Sequence, residues 1–75
     1  MSSFSDFILT AFNESIPYIS NIERFRKIIE SIQDLVSNYD ELVSILHKYE
    51  SEFDITFKTD VKIFLNIFRE KYVKS

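Results

Sequence analysis

The chain has 75 residues, with no glycine, no cysteine, no tryptophan and one proline, and its nine Lys/Arg against twelve Asp/Glu give a net charge of −3. That length allows a single small domain, 1–75, burying only about 60–65% of its unfolded surface, so its stability is expected to be marginal unless a partner adds to it. Lack of glycine excludes phosphate-cradling loops, dinucleotide fingerprints and primed hairpin turns, and lack of cysteine excludes disulfides, thiolate zinc sites and cysteine nucleophiles.

The acidic balance disfavours nonspecific nucleic-acid binding. No Lys or Arg precedes Arg24, and no apolar run exceeds three residues. Neither a signal peptide nor a membrane span is predicted, and a cytoplasmic protein is expected. Phe, Ile, Asn, Lys and Tyr make up 33 of the 75 residues. Their AT-rich codons point to a low-GC bacterium, its phage or another mobile element as the source.

The apolar positions follow helical spacing through most of the chain. Phe4, Phe7, Ile8, Ala11 and Phe12 form the first face. Ser3 with Asp6 approximates a capping box, and Pro17 disfavours helical geometry at Ile16. A helix over about 4–15 is predicted.

Ser20 with Glu23 forms a second capping box, followed by Ile22, Phe25, Ile28, Ile29, Ile32, Leu35 and Val36. The short polar stretch Ser37-Asn38-Tyr39-Asp40 marks a candidate break, because such side chains compete for backbone hydrogen bonds, and Asn38 with Glu41 could cap a new helix there. The apolar phase nevertheless runs through it. Phe25, Ile32, Tyr39, Leu46 and Phe53 lie seven apart, and Ile28, Leu35, Leu42 and Tyr49 fill the second core position of each heptad. One helix over 21–53 would be about 50 Å long. With no glycine or proline at 37–40, a continuous or kinked helix is preferred to a sharp corner.

Residues 54–59 read as a connector, and Thr59 with Asp60 as the start of a helix over about 60–73. Its apolar face is Val61, Phe64, Leu65, Phe68 and Tyr72, widened by Ile63 and Ile67. The predicted fold is therefore all-α: a small bundle of three principal helices at about 4–15, 21–53 (with a break near 38 as the alternative) and 60–73. The last helix is apolar over more than half its circumference, which leaves surface for another chain. A homodimer is expected, with Phe25, Ile28, Ile32, Leu35, Tyr39, Leu42, Leu46 and Tyr49 supplying the seam.

No residue is assigned to catalysis, a cofactor or a metal. His47, the single histidine, reads as a surface residue beside core position 46. Glu50-x-Glu52-x-Asp54-x-Thr56 spaces oxygen ligands like the start of a calcium loop. Ile55 stands where that loop needs glycine, and Val61 where it needs a bidentate glutamate. Arg24, Arg26 and Lys27 oppose the dipole at a helix start, which hints at binding of phosphate or an acidic partner, but Glu23–Lys27 and Arg26–Glu30 are i,i+4 pairs and the preferred explanation. Arg69, Lys71 and Lys74 read as helix C-terminal cations.

Charge is polarised along the chain. From Asp34 to Asp54 there are six acidic residues and one lysine, and from Lys58 onward five basic residues and two acidic ones. The expected function is that of a small acidic, non-enzymatic interaction protein, a regulator, inhibitor or immunity-type protein. Its partner-binding candidates are Asp40, Glu41, Glu50, Glu52 and Asp54. Aromatic anchors would give affinity, and the acidic face specificity and on-rate. The alternative is a small DNA-binding transcriptional regulator, with either Lys62, Asn66, Arg69 and Lys58 near one side of the last helix or the Arg24–Lys27 helix start touching phosphates.

Overall fold

An α-helix starts well where a short polar side chain, held in extended backbone, accepts the free N–H groups of the first turn. The computed structural model describes residues 3–73. In it the side chains of Ser3, Asn21, Asn38 and Asp54 accept from the N–H groups of Asp6, Arg24, Glu41 and Phe57. They open α1 (Phe4–Ser15), α2 (Ile22–Ile32), α3 (Tyr39–Glu50) and α4 (Ile55–Phe68). Pro17 sits in a 3₁₀ turn over Ile16–Tyr18, and the chain widens into one π turn over Arg69–Val73.

The all-helical architecture and the first helix follow the sequence reading, and the Ser3–Asp6 capping box forms in both directions. Two helix starts differ from it. The cap of α2 is Asn21 in place of Ser20, whose N–H is taken by a carboxylate from α4. The last helix opens at Ile55, ahead of the expected start near 60, because Asp54 caps it. Thr59 therefore lies inside α4, where its hydroxyl donates to Ile55 O at 3.1 Å.

The largest difference concerns the long second helix. No single helix covers 21–53: α2 ends at Ile32 and α3 begins at Tyr39, so the break near 38 is real and four helices form where three principal ones were expected. The longest dimension of the molecule is 35 Å, too short for the roughly 50 Å rod. The corner is built from hydrogen bonds. Leu35 N–H donates to Ile32 O at 2.9 Å, the Asn38 side chain accepts from Glu41 N–H at 2.9 Å, and the Glu41 carboxylate accepts from Ser37 N–H at 2.7 Å. Asn38 is extended, at φ −153° and ψ 172°, and no described residue has positive φ. The turn therefore needs no glycine.

The corner folds α3 back, and the two helices turn their apolar faces to a common core with α1 and α4. Phe25 lies at its centre, with ring centroids 5.9 Å from Phe12, 5.7 Å from Phe57 and 5.4 Å from Phe64. This placement corrects the dimer seam. Phe25, Ile28, Ile32, Leu42 and Leu46 are buried inside one chain, and Tyr39 and Tyr49 pack half-buried against them. Leu35 alone of the eight stays outside, 69% exposed. The heptad phase arises because two separate helices each present a stripe to the same interior.

Candidate functional site

The α3–α4 connector is only residues 51–54, so the two helices run antiparallel. Tyr39 at the start of α3 lies 5.9 Å from Phe68 at the end of α4, while at the other end Tyr49 stacks on Phe53 and Phe53 packs tilted against Phe57. This hairpin gives α3 two flanks of different chemistry.

The outer flank carries two shallow depressions that share Ile45 and Lys48. One is bordered by Leu35, Asp40, Glu41 and Ser44, the other by Tyr49, Ser51 and Glu52. The inner flank forms a groove of about 290 Å³ against α4. Tyr39, Val43, His47 and Glu50 make one wall, Lys58, Lys62, Asn66 and Arg69 the other, and Val61 and Leu65 the floor.

The five acidic candidates are thus divided. Asp40, Glu41 and Glu52 reach the outer flank. Glu50 turns into the groove, where its Oε2 lies 3.2 Å from His47 Nδ1. Asp54 sits at neither place: its Oδ1 accepts from Phe57 N–H at 3.1 Å and from Arg24 Nη2 at 3.2 Å. The calcium-like spacing is dispersed by the same contacts, and no group of acidic, histidine or cysteine side chains suited to a metal occurs among the described residues.

Arg24 accounts for part of the cation cluster at the start of α2. Its guanidinium lies 5.1 Å from the Phe53 ring and 5.4 Å from Phe57, and it pairs with Asp54. Arg26 lies 6.0 Å from the Phe12 ring, and neither expected i,i+4 pair closes to ion-pair distance. Lys71 pairs with Glu14 of α1 at 2.7 Å, tying the π turn to the first helix. Lys74 lies outside the described residues.

The Asp54 and Lys71 pairs set the pH response. The Phe57 N–H foremost, and Arg24 after it, hold the Asp54 carboxyl below its ordinary 3.8, outweighing the loss of water that would raise it. A depressed carboxyl stabilises the fold above its unfolded value and loses that contribution as pH falls through the folded value. The Glu14 carboxylate holds Lys71 above its ordinary 10.5, so that contribution is complete below 10.5 and is lost as pH rises past it. Denaturant melts across pH should therefore weaken below 3.8 and above 10.5. Asp54→Asn should flatten the acid limb and Lys71→Gln the alkaline one. An unchanged limb in either variant contradicts the assignment.

Asp60, expected at a helix start, is instead an interior side chain of α4, fully buried. Its two oxygens accept from Ser20 N–H at 2.8 Å and Asn21 N–H at 3.2 Å. A sequence signal for this role exists: a carboxylate lies on the stripe of Phe57, Val61, Phe64 and Phe68. Among the described residues, no helix is long and apolar enough to cross a membrane.

The model of the MJ1579 family matches residues 8–72. An uncharacterized protein, MJ1579, of Methanocaldococcus jannaschii is 36% identical over 56 residues, 75% of this chain and 76% of that one. No solved structure matches the chain.

Proposed function

We propose that the chain, which belongs to the MJ1579 family, is a small non-enzymatic regulator or inhibitor that acts by binding a basic partner protein on the outer flank of α3. The observation that carries this reading is the grouping of Asp40, Glu41 and Glu52 around Ile45 and the exposed Leu35. None of the three carboxylates is ion-paired to a described residue. An apolar centre with a charged rim suits a partner segment bearing apolar anchors and cations.

The test uses a synthetic amphipathic helix of leucine and lysine. It should bind the chain, weaken as salt is raised, and bind Asp40→Lys/Glu52→Lys at least about tenfold less tightly, about 1.4 kcal/mol. Equal binding to the variant contradicts the reading. Both positions are exposed, but Asp40 lies in the first turn of α3 where a cation opposes the helix dipole, so the variant should melt within about 1 kcal/mol of the parent.

A second reading, a DNA-binding regulator, is favoured by the convergence of Lys58, Lys62, Asn66 and Arg69 on one wall of the groove. It requires duplex binding with a salt slope of about one per phosphate contact, lost in Lys58→Gln/Lys62→Gln. The apolar floor and the net charge of −3 favour the protein partner.

A further inference from the structure

We propose that the outer flank of α3 in one copy docks into the α3–α4 groove of the next, so that one partner of this chain is a second copy bound head to tail. The inference rests on the reading of the outer flank as a binding surface and names its occupant. Its basis is a match of charge and spacing between two surfaces of the same molecule.

On the outer flank, Glu41 and Glu52 are eleven positions apart, with Ile45 between them. Glu52 lies just past α3 in a tight turn, where its N–H donates to Tyr49 O at 3.0 Å, and it borders the same depression as Ile45 and Lys48. On the groove wall, Lys58 and Arg69 are also eleven apart, with Leu65 between them. Eleven helical residues are close to three turns and about 16 Å, so Lys58 and Arg69 share a face, while Glu41 and Glu52 border the two depressions that share Ile45 and Lys48. Laid antiparallel, Glu52 meets Lys58, Ile45 meets Leu65 and Glu41 meets Arg69. Both ends are opposite charges, and the middle is apolar on apolar. Lys48 then faces Lys62, and Asp40 comes opposite Glu70 just beyond the groove, the two like-charge pairs in the register.

Lys58, Lys62 and Arg69 can take this role, since none is ion-paired to a described residue. The groove and the acidic depressions lie on opposite flanks of α3, so a docked copy leaves its other surface open. Such a contact is heterologous and strings copies together without closing a two-fold pair. One helix face against one groove makes a small interface, weak and strongly salt-dependent.

Sedimentation velocity tests this. At low salt the average mass should rise with concentration above 9.0 kDa and return to it at high salt. Glu41→Gln/Glu52→Gln and Lys58→Gln/Arg69→Gln should each stay monomeric, with helical circular dichroism retained; glutamine can still accept the Ser37 N–H that Glu41 now accepts. Mixed one to one, they should form a heterodimer and nothing larger, because one intact flank and one intact groove remain. Lys48→Glu should tighten self-association by removing the like-charge pair with Lys62, although it makes the chain more acidic.

A parent that stays monomeric at every concentration, glutamine variants that associate like the parent, or a mixture that forms no heterodimer would overturn the proposal. If the parent is monomeric but the leucine–lysine helix still binds the outer flank, self-docking falls and the partner reading stands. If duplex DNA occupies the groove of a monomeric parent, the groove belongs to nucleic acid and self-docking falls.

Discussion

Phe25→Ala is expected to leave the chain without a cooperative melting transition. The Phe25 ring is fully buried and touches aromatic rings from α1 and α4. Truncating such a phenylalanine costs about 3–5 kcal/mol, from lost transfer energy and the cavity left behind. A single core in a chain of this size supplies about the same amount in total. Phe25→Leu, which keeps most of the volume, should melt cooperatively at a lower temperature. Circular dichroism melts of the two variants check this. A cooperative Phe25→Ala melt close to that of the parent would mean that the core is not centred there.

Asp60→Ala is expected to cost about 3 kcal/mol, because it strands two N–H groups at the entry to α2 and removes the carboxylate that accepts from both. For a chain of this size that corresponds to a fall in Tm of about 15 °C. Hydrogen exchange should localise the damage: the Ser20 and Asn21 amides should lose protection first. Glu52→Ala, on the exposed flank, serves as the control and should change stability by less than about 0.5 kcal/mol. If the two variants melt alike, Asp60 is not the clamp between α4 and α2.

What is legible in the sequence is what acts locally. Ser3 and Asp6 mark the start of α1, and Pro17 its end, because a cap and a proline act within one turn. The core identities of Phe25, Ile28, Ile32, Leu42 and Leu46 are legible as one stripe, but not the chain that covers them. A repeat of seven is satisfied equally by one rod packing on a second molecule and by two helices packing on a shared interior. The corner at 33–38 decides between them, and its signal is present in Asn38 and Glu41. Absence of glycine argues against a corner only weakly, because it removes just one way of ending a helix. This chain ends α2 and α3 with right-handed residues and restarts with extended Asn38 and Asp54.

The acidic block is legible as composition and not as a surface. Consecutive residues of a helix point in different directions, so Glu50 and Glu52 fall on opposite flanks, and Asp54 is drawn off to Arg24. The role of Asp60 is not legible locally, because its hydrogen-bond partners Ser20 and Asn21 are 40 and 39 positions away.

The most direct measurement is a pair of amide chemical-shift titrations on dilute, monomeric protein, one with the leucine–lysine helix and one with its leucine–glutamate twin. The lysine helix should move the amides of Leu35, Asp40, Glu41, Ile45 and Glu52, and the glutamate helix those of Lys58, Lys62, Leu65 and Arg69. Two binding flanks of opposite charge on either side of α3 require those separate footprints. One footprint common to both helices, or shifts spread evenly over all four helices, would contradict it.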